Sequence, residues 1–179
     1  SDYDRLVYHS NFHKVLADFR WYGIKEQIKI PRMLNKLKPD LVHFPHFNSP
    51  LLYRGASVVT IHDVIPFYYP GHKVGASAFR RVAYGVVFRN SVRHARKVLA
   101  VSEHTKKDIV EHAGIDQAKI CVTHLGVSQR FLSPVSQEDR DRVREKYKFS
   151  QPYILYVGIW RNHKNVVGLI RAFEFLKSQ

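Results

Sequence analysis

The residues of this chain best suited to chemistry lie in one short basic turn. From Gln151 to Phe173 the sequence reads QPYILYVGIWRNHKNVVGLIRAF. Gly158 closes an apolar run, and Arg161, Asn162, His163 and Lys164 follow it. Asn165 then stands before apolar residues at helical spacing: Val166, Leu169, Ile170, Phe173 and Leu176. A strand, a glycine turn and a helix start with cations beside it form an anion site. The helix end offers unpaired N–H groups and a positive dipole end, and Lys164 and Arg161 add full charges. The plainer alternative is an ordinary strand–helix corner with solvated charges, and a turn of this kind is by itself a weak motif.

Other polar residues recur just after apolar runs: His46, then His62 and Asp63, then Ser102 and Glu103. A separate basic group, Arg80, Arg81, Arg89, Arg93, Arg96 and Lys97, is interleaved with Phe79, Val82, Val86 and Val87. Its charged and apolar faces do not separate cleanly. A solvated helix packed on a sheet and a membrane-surface patch therefore stand side by side, since cations near anionic lipid contribute about 1 kcal/mol each. His43 and His46 make a poor metal pair: Pro45 interrupts their strand, and no cysteine or carboxylate cluster completes a site. No metal is expected.

These residues need elements to hold them. Tyr153 to Val157 is short, apolar and rich in aromatic and β-branched residues, which predicts a buried strand ended by Gly158. Earlier in the chain, Leu6 to Tyr8 reads as a strand stub and Ile24 to Leu37 as a helix, with Ile24, Ile28, Leu34 and Leu37 near one face. Pro31 would kink that helix or begin a second one. Short strands follow at Leu41–Phe44, Val58–Ile61, Val98–Val101 and Ile120–Val122. Ser77 to Lys97 is long enough for a helix, Ser102 fits the N-cap of another, and Gly114 stops that one. Gln137 to Tyr147 reads as a charged helix. Apolar strand, polar turn and helix in repetition predict a parallel α/β sheet, Rossmann-like, with helices on both faces. Ligands of such sheets gather at the carboxyl ends of the strands, where His46, His62, Asp63, Ser102, Glu103, Arg161 and Lys164 fall.

Composition bounds the function more loosely. The 179 residues are 45% hydrophobic and 13% aromatic, enough for a globular core. The 29 basic residues outweigh 15 acidic ones, for a net charge of +14. Such a surface attracts polyanions: nucleic acid, anionic lipid or phosphorylated substrates. The cations are scattered and no nucleic-acid-binding signature appears, so a basic nucleic-acid-binding domain is the alternative and nucleic acid is not the expected partner. Cys121 is the only cysteine, which excludes an intramolecular disulfide or a Cys-based zinc site and fits a reducing compartment. No apolar run approaches the roughly 20 residues of a membrane span, and Ser1 to Arg5 carries no signal-peptide core. The expectation is a cytoplasmic chain, or a piece of one, that is at most peripheral at the inner membrane face.

Three stretches read together carry a family resemblance. They are KPDLVHFPHFNSPLL with VVTIHDVIP, then ARKVLAVSEHTKKDIV, then KICVTHLGV leading into PYILYVGIWRNHKNVVGLIRAF. In this order and spacing, from Ile24 to the end, the chain resembles the family 4 (group 1) retaining glycosyltransferases of GT-B fold, most of all their mannosyltransferase-like branch. The resemblance implies two Rossmann-like domains with a cleft that binds a nucleotide diphosphate sugar. It implies transfer of a hexose, mannose by first choice, with retention to a saccharide or lipid-linked acceptor, and no cofactor or bound metal. Lys164 matches the family lysine that neutralises the donor diphosphate, and His62 the histidine that faces the donor sugar. Without that match, His62 would read as a strand-end histidine satisfied by a backbone carbonyl. In much of the family an arginine follows the glycine directly. Here Ile159 stands there, and Arg161 is the residue available to substitute.

The family opens with a strand and a glycine-rich loop and carries a late two-glutamate motif, neither of which this sequence contains. The resemblance thus implies an internal fragment that is inactive alone. It would comprise an N-terminal Rossmann-like domain over residues 1–132, lacking its first strand and glycine loop, and over 133–179 the crossover and first strand–helix unit of the nucleotide-sugar-binding domain. The break is read at the SPVS stretch, Ser133 to Ser136. A catalytically inactive structural fragment remains the third reading.

Overall fold

The computed structural model describes residues 10–18, 23–69 and 77–178. The expected strand stub at Leu6–Tyr8 lies outside them. The chain divides into two compact units, Ser1–His124 and Leu125–Gln179, so the division falls ahead of the SPVS stretch.

In the first unit α1 (Ile24–Leu37) precedes β1 (Val42–Phe44). Next come β2 (Ser57–Ile61), the single turn α2 (Ile65–Tyr68) and the long α3 (Ala78–His94). β3 (Lys97–Ala100), α4 (Glu103–Ala113) and β4 (Ile120–Val122) complete it. The strands form one sheet in the order β1-β2-β3-β4, and every neighbouring pair is parallel. The α/β reading of the sequence is met. Parallel neighbours need crossover connections, and here α3 and α4 supply them between β2, β3 and β4.

Alternation along the strands locates the core. Val59, Val98 and Ile120 are register partners, as are Ile61 and Ala100. All five are buried, together with Phe88 and Val92 of α3 and Ile109 and Ala113 of α4. Sequential strand order sends both crossovers the same way, so α3 and α4 lie on one face and pack on each other. The alternate positions Val58, Thr60 and Leu99 are half-buried, and Cys121 is exposed.

Local signals account for most boundaries. Ser102 Oγ accepts from the Thr105 amide at 3.1 Å and opens α4, and Gly114, at φ 61°, ends it in a left-handed conformation that glycine adopts without a Cβ penalty. Pro31 does not begin a second helix: the 14 residues are continuous, with Pro31 buried inside them. The apolar residues expected along one face of α1 are largely open among the described residues, Ile24 at 80% exposure, and the buried ones are Glu26 and Pro31.

The second unit contains α5 (Gln137–Tyr147) and α6 (Val166–Lys177), with tight single turns at Gln129–Phe131 and Asn162–Lys164. Ser136 caps α5 by accepting from Asp139 N at 3.1 Å. One expectation is corrected here. Tyr153 to Val157 forms no strand, and its residues are exposed, Val157 at 84%. A strand exists through ladder hydrogen bonds with a neighbour, and no described segment of this unit supplies one. The aromatic rings Tyr147, Phe149 and Tyr153 pack on one another instead, at 5.9 and 4.6 Å.

Candidate functional site

Pro45 has no amide hydrogen, so the ladder of β1 stops at Phe44 and the Pro45 carbonyl faces the next turn. His62, directly beyond β2, donates from Nε2 to that carbonyl at 3.0 Å. The backbone of His62 is held from the other side. Ser102 Oγ donates to Thr105 Oγ1 at 3.0 Å, and Thr105 Oγ1 donates to His62 O at 3.5 Å. Asp63 Oδ1 accepts from Ile65 N at 3.0 Å and so starts α2. Thus the carboxyl ends of β1, β2 and β3 bring His46, His62, Asp63 and Ser102 together, with Glu103 exposed in the first turn of α4.

His46 belongs to this group electrostatically. Its ring lies 4.2 Å from Phe47 at a 41° tilt. Burial lowers its pKa below the ordinary 6.5, the nearby His62 lowers it further, and Asp63 opposes both. The residue as a whole is exposed, so the shift is one of direction only. The sign of the consequence follows. The unfolded chain takes this proton near pH 6.5, the folded chain only at lower pH. Between those values the unfolded state binds more protons, so stability falls as pH drops through the window and does not depend on His46 above it. His46→Gln is expected to flatten that slope in urea midpoints measured from about pH 7 to about pH 5. An unchanged slope would show that the ring is not desolvated.

Two supports were not legible in the sequence. Glu26 Oε1 accepts from Asn48 Nδ2 at 2.9 Å, and Gln27 Oε1 from Leu51 N at 2.8 Å, so the first turn of α1 holds the loop that follows His46. Beneath that loop Phe47, Phe67, Tyr84 and Phe88 form an aromatic cluster, Phe47 and Phe67 each 4.9 Å from Tyr84. Polar residues early in a helix read as solvated, and no spacing signal marks these as partners of a distant loop. His43, weighed earlier as a metal partner of His46, shares a 2.8 Å hydrogen bond with Thr60. Among the described residues no His, Cys, Asp or Glu cluster suited to a metal ion occurs.

The basic turn is set in the second unit. The Lys164 amide donates to Arg161 O at 2.9 Å, and Asn165 follows in a left-handed conformation, φ 48°, that asparagine tolerates. Asn165 Oδ1 accepts from Gly168 N at 3.2 Å and caps α6. The amides of Val166 and Val167 belong to the unpaired set that every helix start leaves. Arg161, Lys164 and Gly158 are exposed. Gly158 is outside the left-handed region, and a Cβ there would meet the movable Tyr156 hydroxyl at 2.8 Å.

The basic group of α3 divides by task. Arg89 Nε donates to His112 O at 2.9 Å, and Arg93 Nε and Nη2 donate to Ala113 O at 3.2 and 3.0 Å. Both cations thereby sit at the negative end of the α4 dipole. Lys97 lies outside the helix, at the start of β3, and donates to Ala118 O at 3.0 Å. Arg80 and Arg81 are exposed on α3, as are Phe79, Val82 and Val86, and Arg96 is exposed beyond the end of the helix.

A parallel sheet with crossover helices defines the α/β class of domain. Residues 3–131 match the profile of Glycosyltransferase Family 4, and the chain belongs to that family. It is 28% identical over 151 residues to the O-antigen chain mannosyltransferase RfbU of Salmonella typhimurium, covering 84% of this chain and 37% of the relative. It is also 28% identical over 148 residues to the O-antigen chain mannosyltransferase B of Escherichia coli, covering 80% and 36%. The chain thus spans little more than a third of either relative's length. Its fold resembles the crystal structure of a glycosyltransferase from Rickettsia africae ESF-5, with a TM-score of 0.54 at 19% identity over 92% of this chain and 44% of that one.

Proposed function

We propose that this chain is part of an enzyme that transfers a hexose, mannose by first choice, from a nucleotide diphosphate sugar to a saccharide or lipid-linked acceptor with retention. The observation that carries this reading is the family match across residues 3–131, which includes the His62–Asp63 end of β2. In the reaction the bond from the anomeric carbon to the diphosphate oxygen breaks and its electron pair leaves with the diphosphate. The acceptor hydroxyl oxygen bonds the anomeric carbon on the same face and gives up its proton to the departing phosphate oxygen. Lys164, with Arg161 beside it, stabilises that departing charge, and His62 contacts the sugar.

For the acceptor, the outward face of α3 supports a surface peripheral to an anionic membrane. The helix sequence AFRRVAYGVVFRNSVRH contains no acidic residue, and Phe79 is 80% exposed beside Arg80 and Arg81. Among the described residues no helix is long and apolar enough to cross a membrane.

The test uses the full-length enzyme, a panel of nucleoside diphosphate hexoses and saccharide acceptors. Mass spectrometry should show an acceptor gain of one hexose, and the product anomer should match that of the donor. Absence of transfer from every donor would sink the reading. If the chain also bound random duplex DNA tightly, with a steep loss between about 50 and 200 mM salt, the basic surface would be a nucleic-acid site instead.

A further inference from the structure

We infer that α1 is an interfacial helix: its outward row of Lys25, Lys29, Arg32 and Lys36, flanked by Ile24 and Ile28, docks the first unit on an anionic lipid bilayer. The inference goes beyond the reading of α3 as membrane-facing and does not require it.

The row follows from spacing. Lys25, Lys29, Arg32 and Lys36 succeed one another at steps of four, three and four residues, which sets them on one face of the continuous helix Ile24–Leu37. At about 1.5 Å per residue the row is about 16 Å long. All four side chains are exposed, and no ion pair joins any of them to a described residue. The helix has a single acidic residue, Glu26, and that one is buried, with Oε1 accepting from Asn48 Nδ2. Like charges at these spacings repel and weaken a helix, so the row does nothing for α1 itself. The opposite side is fixed in place. Pro31 is buried, Ile30, Met33 and Leu34 are half-buried, and Glu26 and Gln27 hold the loop after His46.

Charge alone would suit any polyanion, and the isoleucines decide between them. Ile28 stands three residues after Lys25 and four before Arg32, and Ile24 one turn ahead of Ile28, so both flank the row. They are 80% and 40% exposed at Ile24 and Ile28. An apolar side chain beside cations gains nothing from a phosphate backbone in water. At a bilayer the cations meet the headgroups while the isoleucines enter the acyl boundary. On α3, by contrast, Arg89 and Arg93 are engaged at the carbonyls that end α4. The first turn of α1 is tied to the loop after His46, so the row begins at the end of the sheet that carries His46 and His62. On the transferase reading, that is where a lipid-linked acceptor arrives.

The test is co-sedimentation of the full-length enzyme with vesicles of phosphatidylcholine and phosphatidylglycerol, against phosphatidylcholine alone, at rising salt. Binding should need the anionic lipid and weaken as salt screens the cations. Each cation contributes about 1 kcal/mol, or about fivefold in partitioning, so Lys29→Gln with Arg32→Gln should lower binding about 25-fold. Lys29→Arg with Arg32→Lys keeps both charges and should bind like the wild type, which separates a lost contact from a disturbed helix. Ile24→Ser should weaken binding without changing its salt dependence. Arg80→Gln with Arg81→Gln removes the same charge from α3 and should matter less. An equal loss would mean that net charge alone drives binding, and would overturn the inference. So would equal binding to both kinds of vesicle, or a glutamine variant of α1 that loses duplex DNA but keeps the vesicles. Hexose transfer to a water-soluble saccharide should survive in that variant. Absence of transfer in the wild type would sink the transferase reading and leave the vesicle result standing.

Discussion

In the full-length enzyme, Lys164→Ala is expected to lower the rate of transfer by about 10²–10³, the loss of about 3–4 kcal/mol that follows removal of one preorganised electrostatic donor. The prediction follows from where charge develops. The diphosphate gains negative charge as the sugar leaves, so a fixed ammonium stabilises the transition state more than the bound donor. Lys164 closes the Asn162–Lys164 turn one residue ahead of the α6 cap, where its charge adds to a positive helix end. Acceptor affinity should change little. Lys164→Arg should recover only part of the rate, because a planar fork does not replace a compact ammonium. His62→Ala should instead impair transfer while leaving affinity for free nucleoside diphosphate nearly unchanged. Initial rates and nucleoside diphosphate titrations separate these outcomes. If Lys164→Ala retains wild-type rate and affinity, the turn is a plain structural corner and the proposed role fails.

The largest effect on stability is expected at Phe88. Its side chain has no exposure, and it packs between the sheet and the aromatic rings of Phe67 at 5.2 Å and Phe47 at 6.4 Å. Phe88→Ala removes a whole buried ring and leaves a cavity beside Val59 and Val92, at a cost of about 3–5 kcal/mol. That is a large share of the roughly 5–15 kcal/mol that separates folded from unfolded domains. Phe79 is the matched control, an exposed phenylalanine on the same helix, and Phe79→Ala should change stability by no more than about 0.5 kcal/mol. Urea denaturation of the two variants decides the matter. Equal losses would mean that α3 presents a different face to the sheet.

The same helix illustrates the reach of sequence reasoning. That a helix would run through this stretch was legible from its length and its apolar residues, and it forms over Ala78–His94. Which side faces the sheet was not legible, because Phe79, Val82 and Val86 are as apolar as Phe88 and Val92. The inward set is chosen by register against β2 and β3, which no local pattern encodes. Arg89 and Arg93 present the same problem. Their sequence reading was a solvated or membrane-facing patch, yet their guanidinium groups donate to carbonyls at the end of α4, contacts 23 and 20 residues away in the chain.

What the sequence by itself determined is therefore local. α1 at Ile24–Leu37, α5 at Gln137–Tyr147, the Ser102 and Asn165 caps and the Gly114 stop follow from side-chain spacing and backbone preference within a few residues. That the sheet would be parallel was also within reach, because strands alternating with helices imply parallel pairing. The strand order β1-β2-β3-β4 was not read from the sequence. The hydrogen-bond partners were decided by the tertiary structure alone. His62 meets Pro45 O only because β1 and β2 lie side by side in parallel register, which brings together residues 17 apart in the chain. Glu26 meets Asn48 for a similar reason, across 22 residues. Tyr153–Val157 shows the converse: its composition is that of a strand, but a strand is defined by its neighbour. Composition states a preference for extended backbone, and only the pairing of one segment with another turns that preference into structure.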